Sequence, residues 1–173
     1  MISNIRHSGY IVAVTALTVV VDQATKAAAL TFLWQPPGRV DVTSFFSFRL
    51  GFNSGISFGL FQSTFATYPG LLIAFTTLIA IVMIGLAIMS RARSEAIASS
   101  LISGGAIGNI IDRVRAGAVT DFLDFHWRGW HWPTFNFADV AISLGVVFLL
   151  LSALNSSKAG NSTSLQSHDG VNR

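Results

Sequence analysis

The chain has 173 residues, of which 51% are hydrophobic and 11% are charged, and its formal net charge is +3. Because a soluble domain carries about 25% charged residues, this composition indicates a protein whose main solvent is a lipid bilayer. The sequence has no Cys, which excludes disulfides and thiolate chemistry, and its small, scattered positive charge argues against a nucleic-acid partner.

The first predicted element is a membrane span from about residue 9 to residue 29, since a span needs about 20 mostly apolar residues. Asp22 and Lys26 in "VDQATK" lie on one helix face with the acid before the base, the favourable order for an ion pair. Two interpretations stay open for them: an ion pair at the interface, or a pair that organises a site. A cleavable signal peptide is disfavoured because this charged pair stands where a cleavage region would be.

The first long connection covers residues of about 30–67 and contains "RVDVTSFFSFRLGFNSGISFGLF". Apolar and polar residues alternate there and are interrupted by Gly, which is typical of short strands. We therefore predict a small β-rich segment between helices one and two, at the membrane surface.

The second and third spans are predicted at about 68–90 and 95–112, joined by the short link "RARSE". The two Arg of this link favour the cytoplasmic side by the positive-inside rule. In the third span, Gly104 and Gly108 form a GxxxG pair, and Ser100 extends the stripe of small residues. Such a stripe predicts close helix packing.

Polar residues end the third span in "GNIIDR", where Asn109, Asp112 and Arg113 share a helix face. Asp112 beside Arg113 is interpreted as a paired, ionised carboxylate, which suits a structural role better than acid–base chemistry.

The second long connection, about 112–134, holds "VTDFLDF" and "HWRGWHW". Asp121 and Asp124 point in opposite directions if their segment is a strand and in the same direction if it is a helical turn. Because Trp favours the membrane–water interface, the second motif is interpreted as an aromatic anchor in preference to a His metal site. We expect no metal or other cofactor.

The fourth span, about 136–154, begins with Asn136 and Asp139 on one face. Thr134 or Asn136 can cap this helix, and Asp139 taken alone fits a first-turn carboxylate favoured by the helix dipole. Residues 156–173 are polar and aperiodic, so we predict a disordered tail behind a membrane domain of residues 1–155.

Taken together, carboxylates from two different segments are expected on one membrane face. Two close carboxylates cannot easily both ionise, and such a pair supplies a base and an acid, as in aspartic proteases. The spacing leaves Asp121 and Asp124 nearly tied as the partner of Asp139. The alternatives are a small transporter or proton-conducting protein, whose site would lie nearer the midplane between repeats, and a non-catalytic scaffold.

Five motifs occur in a familiar order between residues of about 21 and 140: "VDQATK", "NSGISF", "GGAIGNIIDRV", "VTDFLDF" and "FNFADV". Through them the chain resembles the bacterial lipoprotein signal peptidase (signal peptidase II) family. The resemblance implies an inner-membrane aspartic endopeptidase of four transmembrane helices with cytoplasmic termini and a site near the extracytoplasmic face. It implies that Asp121 and Asp139 are the catalytic pair.

The resemblance also implies supporting or substrate-binding roles for nine further residues: Asp22, Lys26, Asn53, Gly55, Asn109, Asp112, Arg113, Asn136 and Ala138. The chain departs from the family pattern at Ile56 and Ser57, where smaller apolar residues are usual, and this bears on the fit of the loop to substrate. The implied partners are membrane lipid and prolipoproteins that carry diacylglycerol on a Cys, with cleavage just before that Cys. The implied chemistry requires no metal.

Overall fold

The structure is a computed structural model that describes residues 2–36, 38–55 and 68–169. The described part contains four long helices: α1 (Ile2–Leu33), α2 (Pro69–Met89), α3 (Arg93–Ala116) and α4 (Phe137–Asp169). Each predicted span falls on one of them. Pro69 at the start of α2 suits a first helical position, where its missing N–H costs nothing. Gly117 ends α3 in the left-handed conformation, with φ of 75°.

Three of the described helices are long and apolar enough to cross a membrane, through Gly9–Leu33, Gly70–Met89 and Phe137–Asn155. Large apolar side chains on them are exposed, among them Leu78 and Ile81, as expected for helices that face lipid. Helix α3 is not one of the three, and a fourth crossing remains a prediction. The sequence of α3 is rich in Ser, Gly and Ala. Helix α3 contacts all three other helices and therefore exposes little surface that would have to be apolar.

The small residues of α3 permit the close packing that the sequence predicts. A Cβ on Gly104 would lie 2.7 Å from the Cβ of Thr18, and one on Gly108 would collide with the Asp22 carboxylate, both on α1. On the opposite side of α3, a Cβ on Gly105 would lie 2.6 Å from the Ala138 carbonyl oxygen of α4. The predicted packing role of the GxxxG pair is confirmed.

A four-stranded antiparallel sheet lies at one end of the helices, in the order β1 (Arg39–Asp41), β2 (Phe46–Asn53), β3 (Val119–Trp127), β4 (Trp130–His131). We predicted β structure only between helices one and two, and this was incomplete, because β3 and β4 come from the connection between α3 and α4. The central pair β2–β3 therefore ties the two long connections together. Phe122 of β3 packs on Ala29 and Leu33, which fixes the sheet to the end of α1.

Helix α4 continues past the end of its apolar segment at Asn155 as far as Asp169. The disordered tail from residue 156 stays a prediction. Extending an existing helix fixes one residue per added hydrogen bond and needs no new nucleus, so a polar segment can continue it.

Candidate active site

Strand β3 carries two buried aspartates on opposite faces. Asp121 is 2% exposed and Asp124 is fully buried. The spacing of three residues leaves them pointing together in a turn and apart in a strand, and the observed strand separates them. They therefore have different surroundings, although they are near neighbours in sequence.

Asp121 of β3 lies opposite an irregularity in the neighbouring strand β2. The pairing of β2 with β3 shifts between Phe48 and Gly51, and Gly51 lies opposite Asp121. Bulges of this kind change the direction of nearby side chains and are common next to active sites. Beyond the bulge, Asn53 lines the same cavity as Asp121, and its side chain lowers the pKa of that carboxyl group.

A β-bridge between Leu123 and Phe135 brings the start of α4 beside this carboxylate. The next residue, Asn136, is fully buried, and its Nδ2 donates to Oδ1 of Asp121 at 2.7 Å. The bridge thus places the first helical turn of α4 against β3.

Asp139 is held by the cap of α4. Its backbone N–H donates to Oδ1 of Asn136 at 3.1 Å, and its Oδ2 accepts the Asn136 backbone N–H at 3.2 Å. This reciprocal pair is the geometry of a capping box, so Asn136 is the cap, not Thr134. Asn109 of α3 donates from Nδ2 to the other oxygen of Asp139 at 3.2 Å. Asn136 therefore contacts both aspartates and orients one against the other.

Asp121 and Asp139 line one cavity of about 240 Å³. The rest of its polar wall comes from four side chains: Asn53, Thr76, Asn109 and Arg113. Apolar side chains from three helices and from β3 complete it: Leu72, Phe75, Ile79, Ile102, Ala106, Ile142 and Val119. Asp139 and Asn53 also line a second cavity of about 380 Å³ beside the β4–α4 connection. The carboxylates are thus reachable from a space that is otherwise mostly apolar.

Burial raises the pKa of Asp121, and the negative charge of Asp139 raises it further, to about 7. Hydrogen bonds from Asn136 and Asn53 and the positive charge of Lys26 act in the opposite direction but do not cancel these effects. Near neutral pH this carboxyl group can therefore either hold or release a proton. A raised pKa beside a second carboxyl group is the arrangement expected of an acid–base pair.

Lys26 is the centre of a buried polar network behind the pair. Its Nζ lies 2.9 Å from Asp22 and 3.2 Å from Asp112, and it donates to Oδ1 of Asn109 at 2.8 Å. The predicted ion pair of Asp22 and Lys26 is confirmed. Asp22 also accepts the backbone N–H of Ala138 at 3.0 Å, within the first turn of α4. The two elements that hold Asp139, the first turn of α4 and Asn109 of α3, are therefore both hydrogen-bonded to side chains of α1.

The predicted pairing of Asp112 with Arg113 is wrong. Arg113 donates from Nη2 to the carbonyl oxygen of Gly55 at 2.9 Å, whereas Asp112 contacts Lys26 and accepts the backbone N–H of Thr120 at 2.9 Å. Adjacent residues on a helix do not face each other, so the two side chains diverge. Gly55 is thereby held near the cavity. Ile56 and Ser57, which follow it, lie outside the described residues.

Gln23 belongs to the same network but was not singled out from the sequence. Its Nε2 donates to Oδ1 of Asp112 at 3.0 Å and to the Gly108 carbonyl oxygen at 3.2 Å. The available signal was a polar side chain inside an apolar span, directly after Asp22. All nine supporting residues implied by the resemblance lie in this network or at the cavity.

Asp124 has a different environment on the opposite face of β3. It accepts hydrogen bonds from Oγ of Ser47 at 3.1 Å and from Nδ1 of His131 at 2.9 Å. Burial alone would raise the pKa of Asp124, but these two donors outweigh it and hold the pKa below its ordinary value. Asp124 links β2, β3 and β4, and it does not line the cavity that Asp121 and Asp139 share.

A buried carboxyl group and a partly buried one that line one cavity at the end of apolar helices are the arrangement expected of a membrane-embedded aspartic hydrolase. The family profile described as "Signal peptidase (SPase) II" matches residues 14–155. The chain belongs to the signal peptidase II family, and it is therefore an aspartic peptidase of the bacterial inner membrane with membrane-spanning helices.

Individual relatives agree with this assignment. The chain is 45% identical to a lipoprotein signal peptidase of Serratia marcescens over 69% of this chain and 71% of the relative. It is 38% identical to one of Anaplasma marginale over 89% and 91% of the two chains. The fold is similar to a bacterial membrane enzyme solved by the in meso method at 2.3 Å resolution, with a TM-score of 0.73, 26% identity, and coverage of 86% of this chain and 90% of that one.

Proposed function

We propose that Asp121 and Asp139 are the catalytic pair with which this protein removes signal peptides from prolipoproteins. The observation that carries the proposal is that Asn136 donates to Asp121 and forms the reciprocal cap with Asp139, while both carboxyl groups line one cavity. We propose further that the substrate is a prolipoprotein that carries diacylglycerol on its Cys, and that the protein cuts the peptide bond just before that Cys.

The chemistry follows from one proton shared between two carboxyl groups. The ionised aspartate takes a proton from a water molecule, whose oxygen attacks the carbonyl carbon of the scissile bond. The protonated aspartate gives its proton to the carbonyl oxygen, which forms a tetrahedral intermediate. A proton then passes to the amide nitrogen, the C–N bond breaks, and a carboxylate and an amine leave. Since the two groups titrate as a pair, neither role is assigned to one residue.

The buried network supports this chemistry by fixing positions. Asn109 receives a hydrogen bond from Lys26 on its Oδ1 and uses its Nδ2 to hold Asp139. Its orientation is therefore set by a charged donor. With Lys26 between Asp22 and Asp112, the network supplies donors without placing an unpaired cation beside the pair. Such preorganised groups need no rearrangement during the reaction.

The membrane arrangement that fits this function has four crossings, cytoplasmic termini and the sheet with the catalytic pair at the extracytoplasmic face. The Arg-containing turn between α2 and α3 supports it, because this turn and the sheet are at opposite ends of these two helices. In this arrangement the acyl chains of the substrate stay in the bilayer while the peptide bond before the Cys reaches Asp121 and Asp139. The apolar cavity wall from α2 would face the signal peptide.

The test compares Asp121→Asn, Asp139→Asn and the matched control Asp124→Asn in purified protein. Each is incubated in detergent with a diacylglyceryl-modified precursor and with its unlipidated form, and cleavage is followed by gel shift. We expect wild type and Asp124→Asn to cut only the lipidated precursor and the two other variants to cut neither. Wild-type rates in Asp121→Asn or Asp139→Asn would overturn the assignment of the pair, and equal cleavage of both precursors would overturn the substrate class.

A further inference from the structure

Two buried aspartates behind the proposed catalytic pair make the same kind of contact with the backbone. Oδ1 of Asp22 accepts the N–H of Ala138 at 3.0 Å, and Ala138 directly precedes one member of the pair. Oδ2 of Asp112 accepts the N–H of Thr120 at 2.9 Å, and Thr120 directly precedes the other member. Asp22 and Asp112, here called the anchor carboxylates, therefore hold the chain at equivalent points on the two sides of the site.

The anchor carboxylates are joined to each other by two side chains of α1. Lys26 Nζ lies 2.9 Å from Asp22 and 3.2 Å from Asp112. Gln23 makes the second link, because its Nε2 donates to Oδ2 of Asp22 at 3.2 Å and to Oδ1 of Asp112 at 3.0 Å. The same nitrogen lies 3.2 Å from the Gly108 carbonyl oxygen of α3. A charged donor and a neutral donor thus bridge the two anchors in parallel.

Gln23 gives the bridge a direction that Lys26 alone does not supply. The three groups around its Nε2 are all acceptors, so the nitrogen and not the oxygen of the amide faces them. The two protons of an amide lie in one plane at a fixed angle, whereas an ammonium rotates on a flexible stem. Asp22, Lys26 and Asp112 are buried, and a buried polar network whose members are satisfied is rigid.

We propose that Gln23 is a positioning residue that sets the spacing of Asp121 and Asp139 through the anchor carboxylates. Gln23 lines neither of the two cavities beside the pair, so it acts through other residues and not on substrate. Because it bonds both anchors, its loss lets the backbone before Asp121 move relative to the backbone before Asp139. This consequence for cleavage rests on the proposed function, whereas the bridge between the anchors does not.

The first test is Gln23→Met, which keeps the length and bulk of the side chain and removes its donors. Initial rates at several concentrations of the diacylglyceryl-modified precursor, measured in detergent, give kcat and KM. We expect kcat to fall about 10–100-fold, as for a small misplacement of reacting groups, and KM to stay within about twofold of wild type. The substrate cavities keep their walls in this variant, which is why binding should change little.

Thr18→Val is the matched control in the same α1–α3 interface. Thr18 is buried against α3, where a Cβ on Gly104 would meet its Cβ, and its hydroxyl donates to the Val14 carbonyl oxygen of its own helix at 2.8 Å. The control therefore removes a buried hydrogen bond of α1 without touching an anchor carboxylate. We expect it to lower the melting temperature and to keep the wild-type kcat.

A second measurement follows the anchors without any cleavage. The full chain, labelled with ¹⁵N at Thr and Ala in detergent micelles, reports the backbone amide resonances of Thr120 and Ala138. Both resonances should shift in Gln23→Met, although Gln23 bonds the anchors and not these two residues. Both should keep their wild-type positions in Thr18→Val. Failure of the bridge is therefore distinguishable from failure of the catalytic assignment.

Three results would overturn the proposal. Resonances of Thr120 and Ala138 that stay unchanged in Gln23→Met, or a shift of only one, would show that Gln23 does not couple the anchors. A wild-type kcat despite two shifted resonances would remove the coupling from the positioning of the pair. An equal loss of kcat in Thr18→Val would assign the effect to general weakening of the interface.

If Gln23→Met does not fold, the wild-type protein still decides the question. Both Nε2 protons of Gln23 should exchange slowly with D₂O, because they are held between buried acceptors. Exchange as fast as that of an exposed side-chain amide would overturn the bridge.

Discussion

Asp121 and Asp124 are three residues apart on one strand, and both are hidden from solvent. Their pKa values are nevertheless shifted in opposite directions. Asp124 receives two side-chain donors, from Ser47 and His131, and its pKa is held below its ordinary value. Asp121 also receives donors, but it shares its cavity with a second carboxyl group, and its pKa is raised to about 7. Burial raises the pKa of both carboxyl groups, but at Asp124 the donors outweigh it. At Asp121 burial is the larger cause and the charge of Asp139 adds to it, so this group can keep a proton near neutral pH.

The largest expected effect separates these two aspartates directly. Asp121→Asn removes a group that must exchange a proton, so cleavage should fall by about 10²–10⁴-fold or more. Asp124→Asn keeps the shape and one acceptor, so the cleavage rate should stay within about threefold of wild type while stability falls by about 1–3 kcal/mol. Initial rates and thermal unfolding of both variants in detergent provide the measurement. Similar losses of rate in the two variants would contradict the distinction.

The spacing of Asp22 and Lys26 predicted their ion pair correctly, because helix geometry is local and fixes which side chains meet. The choice between Asp121 and Asp124 was not local. It depended on whether the segment is a strand and on the bridge from Leu123 to Phe135, which no spacing encodes. The resemblance implies Asp121, and Asp121, unlike Asp124, lines the cavity that Asp139 also lines; its catalytic role is our proposal.

Other misses have equally physical causes. Arg113 was assigned to Asp112 from adjacency, although a helix turns adjacent side chains apart. The strand character of β3 was ambiguous because its acidic residues interrupt the apolar alternation. Helix α3 lacks the hydropathy of a span because Gly, Ser and Ala on it contact other helices instead of lipid.

The second comparison sets the buried Lys26 against the surface Arg39, each of which pairs with an Asp. Lys26→Met leaves Asp22 and Asp112 buried without their cation, so we expect a loss of about 3–5 kcal/mol in unfolding free energy. Arg39 pairs with Asp41 at 2.6 Å, but Arg39 is only half-buried and Asp41 is exposed to solvent, so Arg39→Met should cost no more than about 1 kcal/mol. Denaturant unfolding in detergent tests both. Equal costs would show that the Lys26 network is not a buried anchor.

A second substitution at Lys26 separates the effect of its charge from the effect of its size and position. Lys26→Arg keeps the charge but not the size, and Asn109 would lose its 2.8 Å donor or be displaced. We expect this variant to recover much of the stability but little of the cleavage rate. Full recovery of the rate would indicate that charge alone, and not the position of Asn109, is what Lys26 contributes.

The pH dependence should have opposite signs for the two aspartates. Because the pKa of Asp121 is about 7 in the folded state and about 3.8 when unfolded, the folded protein binds more protons between these values. Its contribution to stability is therefore present below about pH 4 and is lost as the pH rises to about 7, by up to about 1.4 kcal/mol per pH unit. Asp124, with a lowered pKa, contributes stability above pH 3.8, which is lost on acidification.

Unfolding free energies measured at pH 5 and pH 7 test the direction in which stability changes with pH. The decline with rising pH should be smaller in Asp121→Asn and unchanged in Asp124→Asn. Cleavage by wild type should also decrease above about pH 7, where the pair of carboxyl groups loses the one proton that the reaction needs. An undiminished stability decline in Asp121→Asn would assign the proton to another group.

The smallest effects compare two helix glycines with opposite surroundings. A Cβ on Gly108 of α3 would collide with the Asp22 carboxylate, whereas one on Gly85 of α2 would meet nothing within 4 Å. Gly85→Ala should therefore stabilise the protein by up to about 1 kcal/mol, since Ala loses less backbone entropy in a helix. Gly108→Ala should cost about 1–3 kcal/mol, as overpacking does. It should also slow cleavage, because Asp22 holds the Ala138 N–H at the start of α4. If Gly108→Ala lost stability but kept the wild-type rate, the position of Asp22 would matter for folding and not for the geometry of Asp139.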